Sequence, residues 1–528
     1  MPPNNRDSAS FLSPPPATAA EPDVGVPRAA RWGLVACIIL FFIQAFLLRH
    51  YGIDDAAISF RYARHLAEGK GLVWNPGQPP VEGFSNLLWV LILGAGHRIG
   101  FDIEILAKLL GVGLGAATLA LLQVICRRIW ASRPWWWFPV LVVAMCPVWV
   151  MWIVSGLELA LLGFFLVLAI FALTSSGAAK TWLLSAALCG LAATRPEGIA
   201  LGGLLLLYAL LAHRALTIRR RIREYAVPGL AFTGCIIGLV VFRLAYYGYP
   251  FPNTVYAKFS PALPSLTEVG KWVVFVLPFL LAYIPALRRS TNPHCRFVLG
   301  ASLLLVVAQM LLVLPVSPVM YFLHRYQIPF VPLVALAVPA LPDWLKQRRT
   351  WLSPIAVVML SAWTLQPWPE VWTRTTHEWL FREARGRVAD RLDSLPGQPV
   401  LALIDAGRIP YVTDLNTIDV WGLCDARIAQ KGFSCAAVFN GALGPPDVYV
   451  MTVLAEGPDV RPWLGYDQLV AADDFFQRNY KLWQVCLGDS YCGFAILLNI
   501  DWAAANGLLE AAGTGSGQVT TPVFRFAQ

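Results

Sequence analysis

Charge is the first thing this chain is short of. Asp, Glu, Lys and Arg make up 14% of its 528 residues, where soluble globular domains carry about 25%. With 57% of the residues hydrophobic, that shortage excludes an ordinary soluble protein and points to a polytopic membrane protein. Histidine is scarce too. The seven histidines are scattered and no two cysteines show CxxC spacing, so zinc sites of the finger or ribbon type are excluded. The net charge of +9 would suit nucleic acid, but the Lys and Arg residues cluster in short segments between apolar runs, the pattern of loops held on the cytoplasmic face. No nucleic-acid partner is expected.

What is present is a series of about twelve apolar runs, near residues 32–48, 86–93, 103–125, 138–152, 157–173, 181–193, 198–211, 227–246, 272–286, 297–314, 328–341 and 352–365. The first is too long and too late for a cleaved signal and reads as an anchor. Residues 1–31, rich in Pro, Ala and Ser, read as a disordered cytoplasmic tail. Four loops are strongly basic: Arg127, Arg128 and Arg133; Arg214, Arg219, Arg220, Arg221 and Arg223; Arg288, Arg289 and Arg296; and Lys346, Arg348 and Arg349. Placing all four and the amino terminus inside requires that the weak run 86–93 lie along the outer surface. Eleven crossings remain. The loop over residues 50–102 and the region from 367 to 528 then face outward, the latter with the composition of a soluble α/β domain: a helical stretch over 376–392 and the β-type runs VLALI and DVYVMT. The chain thus reads as an α-helical polytopic protein over 32–366 with an outer α/β domain, and four cysteines of that domain, Cys424 with Cys435 and Cys486 with Cys492, are expected to pair as disulfides in an exported compartment.

On this topology polar residues collect on the outer side, where ionisable groups at membrane depth are costly and mark sites. Asp54 and Asp55 follow the first crossing. One of them would cap the helix AISFRYARHLAEG, yet a cap needs a single acid and adjacent carboxylates repel, which also suits a pair in which one acts as a base. Arg61 and Arg64 lie one and two turns on, as helix partners of the acids or as phosphate ligands. Trp74, Asn75, Glu82 and Asn86 complete the first outer loop. Glu158 has no basic neighbour in sequence. Arg195 and Glu197, in TRPEG, suit either a salt bridge across a turn or anion binding. Asn253 and Lys258 sit in YYGYPFPNTVYAK, and His324, Arg325 and Tyr326 open a crossing on the side where cations are disfavoured, which asks for an anion such as a lipid phosphate. In the outer domain Asp405, Trp421 and Asp425 are exposed-loop candidates.

The stretches DDAAISFRYARHLAEGKGLVWNPGQPPVEGFSNLLW, SGLEL, TRPEG, YYGYPFPNTVYAK, HRY and LIDAGRIPYVTDLNTIDVWGLCDARIA resemble the GT-C superfamily of polytopic glycosyltransferases that use polyprenyl-phosphate sugars, and among them the terminal arabinofuranosyltransferase group. The resemblance covers most of the chain from Asp54 onward. It implies a bacterial plasma-membrane enzyme that moves a sugar, arabinofuranose being the one the group suggests, to a cell-envelope glycan or glycolipid by inversion. Asp54 or Asp55 would be the base, Arg195, Arg325 or Lys258 would meet the phosphate, and Trp74 would stack on a sugar. Relatives commonly carry an aromatic where this chain has Ala57. Oligosaccharyltransferase relatives hold a divalent cation with an acid set in the second outer loop. Here that loop offers only Glu158, so no obligatory metal is implied, and a divalent cation stays open. A non-catalytic protein of envelope or flagellar assembly on the same scaffold is the alternative. A transporter would need inverted repeats and mid-depth charges, neither of which the sequence displays.

Overall fold

The computed structural model describes residues 28–508 and 523–524, except 134, 213–216, 261–262, 264, 319–320, 342–351, 457–458 and 489–491. The expected tail over 1–31, apart from its last residues, and the basic loop with Lys346, Arg348 and Arg349 lie outside the described residues, as does Arg214. The chain divides into two compact units, one of residues 1–49, 107–241 and 259–372, the other of residues 50–106, 242–258 and 373–528.

The first unit is helical. Its helices, with those they continue into, are α1 (Arg28–Leu47), then α4 (Ile103–Trp130) to α10 (Ile218–Tyr246), and α12 (Leu266–Arg289) to α15 (Leu352–Leu365). α2 (Asp54–Ala67), α3 (Leu87–Arg98) and α11 (Asn253–Lys258) belong to the second unit. Among the described residues four helices are long and apolar enough to cross a membrane: α4 with 28 residues, α10 with 29, α12 with 24 and α13 (Pro293–Leu312) with 20. At about 1.5 Å per residue, 20 residues match a hydrocarbon layer of about 30 Å. α7 (Leu159–Leu173), α8 (Gly177–Thr194) and α9 (Glu197–Ala212) are shorter.

Two apolar runs are broken by proline. The run 138–152 is split into α5 (Phe138–Met145) and α6 (Pro147–Ile153) at Cys146, whose backbone is extended. The run 328–341 carries Pro329, Pro332 and Pro339 and forms short turns around α14 (Val331–Ala335). Proline removes a helical N–H and clashes with the preceding turn. Leu333, Leu336, Ala337 and Val338 are wholly buried, so this run is apolar because protein surrounds it.

In the second unit α3 has 12 residues, about 18 Å of helix, and packs on α2. α16 (Trp368–Asp393) leads into a sheet whose strands are β1 (Leu401–Leu403), β2 (Thr417–Asp419), β3 (Val448–Glu456), β4 (Asp459–Pro462), β5 (Tyr480–Leu487), β6 (Cys492–Asn499) and β7 (Val523–Phe524). β1 pairs in parallel with β2 and β3; β6 is antiparallel to β3 and β5. Leu401, Leu403, Val448, Val450, Ile496 and Leu498 face one side with Phe381, Ala384 and Val388 of α16. Ala402, Ile418, Tyr449, Met451, Ala495 and Leu497 face the other with Phe439, Val470 and Phe476. Alternate residues point to opposite faces, and both faces are covered, so the strands read as continuous apolar runs.

The expected disulfides are absent, and all ten cysteines are thiols. Cys424 is buried where a side chain on Gly83 would strike its Sγ, whereas Cys435 reaches Leu469 O at 3.7 Å. In the β5–β6 hairpin Cys486 is registered with Phe494, and Cys492 with Leu454 of β3. That offset puts the two thiols in separate cross-strand pairs.

Candidate active site

α2 begins at Asp54, and its cap residue is Ile53, with no side-chain cap bond. The capping role expected for an acid therefore does not fall to Asp54. Its carboxylate instead accepts the backbone N–H of Arg408 at 2.8 Å and lies 3.1 Å from Arg385 Nε. The same Nε donates to Asp405 Oδ2 at 2.6 Å. Burial, with Asp405 beside it, lifts the Asp54 pKa well above the usual carboxylate range, outweighing the pull of Arg385 and the Arg408 N–H. Gly407 passes so close that a Cβ there would overlap the Asp54 carboxylate and carbonyl. Arg408 and Arg382 both pair with Glu104, at 2.6 and 2.5 Å. Asp405 is thus half-buried and paired, not an exposed loop acid. Asp425 caps a short helix through the N–H groups of Arg427 and Ile428, and Trp421 rests on Tyr466 with centroids 5.5 Å apart.

The other end of α2 is clamped by the same segment. Arg61 is wholly buried; it donates to Trp74 O at 2.9 Å, to Leu415 O at 2.8 Å and to Pro410 O. Arg64 donates to Tyr411 O and Asp414 Oδ1, and His65 and Lys70 reach Asp414 at 2.8 and 3.0 Å. Asp414 adopts a left-handed backbone with φ of 56°. Burial opposes its charge, but His65, Lys70, Arg64 and Arg61 together hold its pKa far below the usual range. Arg61 and Arg64 therefore partner the 410–415 segment, not the acids at the head of their own helix.

The remaining first-loop residues are spent in the same way. Trp74 is 3% exposed, carries Arg61 over its ring at 4.6 Å and donates to Thr417 O at 3.0 Å, so the expected sugar platform is covered. Asn75 exchanges bonds with Thr417 N and O. Together these two residues close the outer edge of β2, an edge that would otherwise expose unpaired backbone. Glu82 makes a bidentate ion pair with Arg243 at 2.9–3.1 Å. Asn86 bonds Ser59. Asn253 donates to Gly422 O and Leu423 O. Lys258 is half-buried and has no polar partner among the described residues.

The other expected residues lie in the first unit. Arg195 pairs with both Glu158 and Glu197 and faces the Tyr326 ring at 5.5 Å. Two carboxylates on one guanidinium leave no surplus positive charge, so the salt-bridge reading of TRPEG holds and extends to Glu158. Arg325 is 4% exposed and lies over Trp152 and Tyr326. Burial first, with Lys271 adding, pushes the His324 pKa down to about 4 despite Glu268. His324 is neutral near pH 7 and is not the cation expected for a phosphate. Among the described residues no three His, Cys, Asp or Glu side chains converge to hold a metal ion.

Sequence reasoning did not find Arg385, Arg243 and Glu104, whose partners are remote in the chain. Gly407, Arg408 and Asp414 all lie within the quoted stretch LIDAGRIPYVTD, and that stretch was the available signal.

The profile of a domain of unknown function (DUF8728) matches residues 373–503, most of α16 and most of the sheet. In sequence the chain is similar to the terminal beta-(1->2)-arabinofuranosyltransferase of Mycobacterium tuberculosis (strain ATCC 25618 / H37Rv), at 27% identity over 248 residues, 44% of this chain and 38% of that protein. The match thus spans well under half of the curated relative. In structure it is similar to ArnT from Cupriavidus metallidurans bound to undecaprenyl phosphate, with a TM-score of 0.57 and 14% identity over 89% of this chain and 98% of the other. The apo state of that protein gives 0.56 over the same shares. The chain thus has an ArnT-like fold and, over part of its length, resembles a terminal arabinofuranosyltransferase.

Proposed function

We propose that the chain is an inverting glycosyltransferase of a bacterial plasma membrane, taking its sugar from a polyprenyl-phosphate donor and passing it to an envelope glycan or glycolipid outside the cell. In this reading the chain crosses eleven times with its amino terminus inside, and the domain over 367–528 is extracytoplasmic. The likeness to a protein solved with undecaprenyl phosphate supports the donor class, and the sequence likeness supports arabinofuranose as the first sugar to try.

The observation that carries the mechanism is the closure around Asp54. Arg385, the Arg408 N–H and the Gly407 backbone crowd that carboxylate and leave an acceptor hydroxyl little room beside it. Asp54 is therefore the anchor of the first turn, and Asp55 the base. An ionised Asp55 removes the acceptor proton while the hydroxyl oxygen attacks the anomeric carbon, and the glycosidic bond to the lipid phosphate breaks on the opposite face. Lys258, the cation of the expected set without a polar partner, meets the phosphate charge as it develops.

The test is transfer of labelled sugar from a panel of polyprenyl-phosphate donors by the full chain in lipid. Asp55→Asn should lower transfer by about 10³-fold or more, and Asp54→Asn by about tenfold at most. The reverse ranking would move the base to Asp54. Donor binding without transfer by the wild type across the panel would overturn the enzyme reading in favour of a non-catalytic relative.

A further inference from the structure

A second site is formed by residues of the first unit that the mechanism above does not use. A cavity of about 320 Å³ is lined by Lys271, Val274 and Phe275 of α12, His324 of the 321–327 loop, Trp363 of α15, and Glu370 of α16. Its volume falls in the range of small-ligand sites. α12 runs from this cavity to the basic pair Arg288 and Arg289 at its far end, so by the positive-inside rule the cavity sits at the outer ends of the spanning helices.

Three features mark it as built to receive something. Leu323 and His324 both have positive φ, 45° and 55°, a conformation that non-glycine residues avoid and that is retained where the surroundings impose it. The Trp152 indole holds the kink by donating to Leu323 O at 3.0 Å. The conformation places the imidazole against Trp272 and Phe275, each 5.4 Å away between centroids, and leaves His324 Nδ1 buried without a hydrogen-bond partner among the described residues. The wall is fixed as well, since the Trp363 N–H donates to Phe275 O at 2.8 Å.

The rim then selects the ligand. Lys271 and Glu370 carry opposite charges on the same cavity, and Lys271 already faces Glu268 at 2.6 Å. The imidazole is neutral, so the three charged groups sum to one negative charge. A purely anionic headgroup is poorly matched, whereas one bearing both a phosphate and an ammonium finds a partner for each. Below the rim Val274, Leu277, Leu281 and Ile284 are 45–61% exposed and recur at helical spacing along one face of α12, an apolar track leading out of the cavity.

We propose that this cavity seats the headgroup of one zwitterionic phospholipid, its phosphate at Lys271 and its ammonium at Glu370, with an acyl chain along the α12 track. The His324 Nδ1 accepts an ammonium or glycerol hydrogen. The site is independent of sugar transfer.

The experiment is native mass spectrometry of the full chain released from bilayers of equal phosphatidylethanolamine and phosphatidylglycerol. One phosphatidylethanolamine should be retained per chain, about fivefold or more over phosphatidylglycerol, the selectivity that one charge contact supplies. Glu370 is exposed, so Glu370→Lys leaves the packing intact and should invert the preference. His324→Phe keeps the ring stack, removes the acceptor and should weaken retention of both lipids. Equal retention of the two lipids by the wild type, or an unchanged preference in Glu370→Lys, overturns the proposal. Displacement of phosphatidylethanolamine by added undecaprenyl phosphate at equal concentration overturns it too, and would make the cavity a seat of an anionic lipid.

Discussion

The two ends of α2 are gripped by one segment, residues 405–415, and they shift their acids in opposite directions. At the first turn Asp54 and Asp405 share a single guanidinium at depth, with Glu378 3.8 Å from it, and burial with Asp405 beside it raises the Asp54 pKa. At the last turn Asp414, with Glu68 also on Arg64 and Lys70, meets Arg61, Arg64, His65 and Lys70 with about a third of its side chain still exposed, and its pKa is held far below the usual range. Residue type decides neither outcome. What decides is the ratio of cations to carboxylates and the access of water, because an unpaired buried charge is expensive and a paired, wetted one is not.

The largest break in this comparison should come from Arg61→Met, which leaves Trp74 O without its donor, takes one donor each from Pro410 O and Leu415 O and removes a cation from Asp414. Hydrogen bonds to a charged donor are worth about 1.5–3 kcal/mol each, so a loss of about 3 kcal/mol or more in the stability of the second unit is expected in denaturant titrations followed by Trp fluorescence. Arg385→Met should follow closely. Removing one partner of a buried ion cluster costs about 3–5 kcal/mol, and the same denaturant titrations read it.

The two ends should also separate by pH, with opposite signs. Asp54 has a raised folded pKa, so the folded state holds a proton that the unfolded chain has released above about pH 4. Stability from this end is greatest in mild acid and falls as pH rises toward the raised folded value, a slope that Asp54→Asn should flatten. Asp414 has a depressed folded pKa. Its contribution is complete above about pH 4 and is lost below it, so Asp414→Asn should cost about 1 kcal/mol at pH 7, discounted for its exposure, and nothing further in strong acid. Thermal melts from pH 3 to pH 8 read both slopes. The smallest effect is expected from reductant: with Cys424, Cys435, Cys486 and Cys492 as thiols, dithiothreitol should leave the melting temperature unchanged.

Much of this was legible in the chain. Apolar runs, basic loops and the change of composition near residue 367 mark helices and an α/β region because burial and lipid both select composition locally. The acid pair stood out for the same reason, as charge where charge is scarce. The site residues were harder to read. Trp74, Asn75, Arg61 and Arg64 have the look of ligand contacts, yet their partners are backbone groups of residues 410–417, more than 300 positions away, and a backbone carbonyl leaves no mark in a sequence. The disulfide pairing failed because nearness in the chain is not cross-strand register.

The sequence by itself determined which segments are helical and apolar, that the C-terminal region carries strands and which two acids stand at the head of α2, since each follows from local composition and charge. Only the tertiary structure decided that Asp54 is walled in, that Arg195 is shared between two glutamates and that a kinked loop leaves a cavity beside His324. Those outcomes depend on which distant groups meet, and on how much water remains when they do.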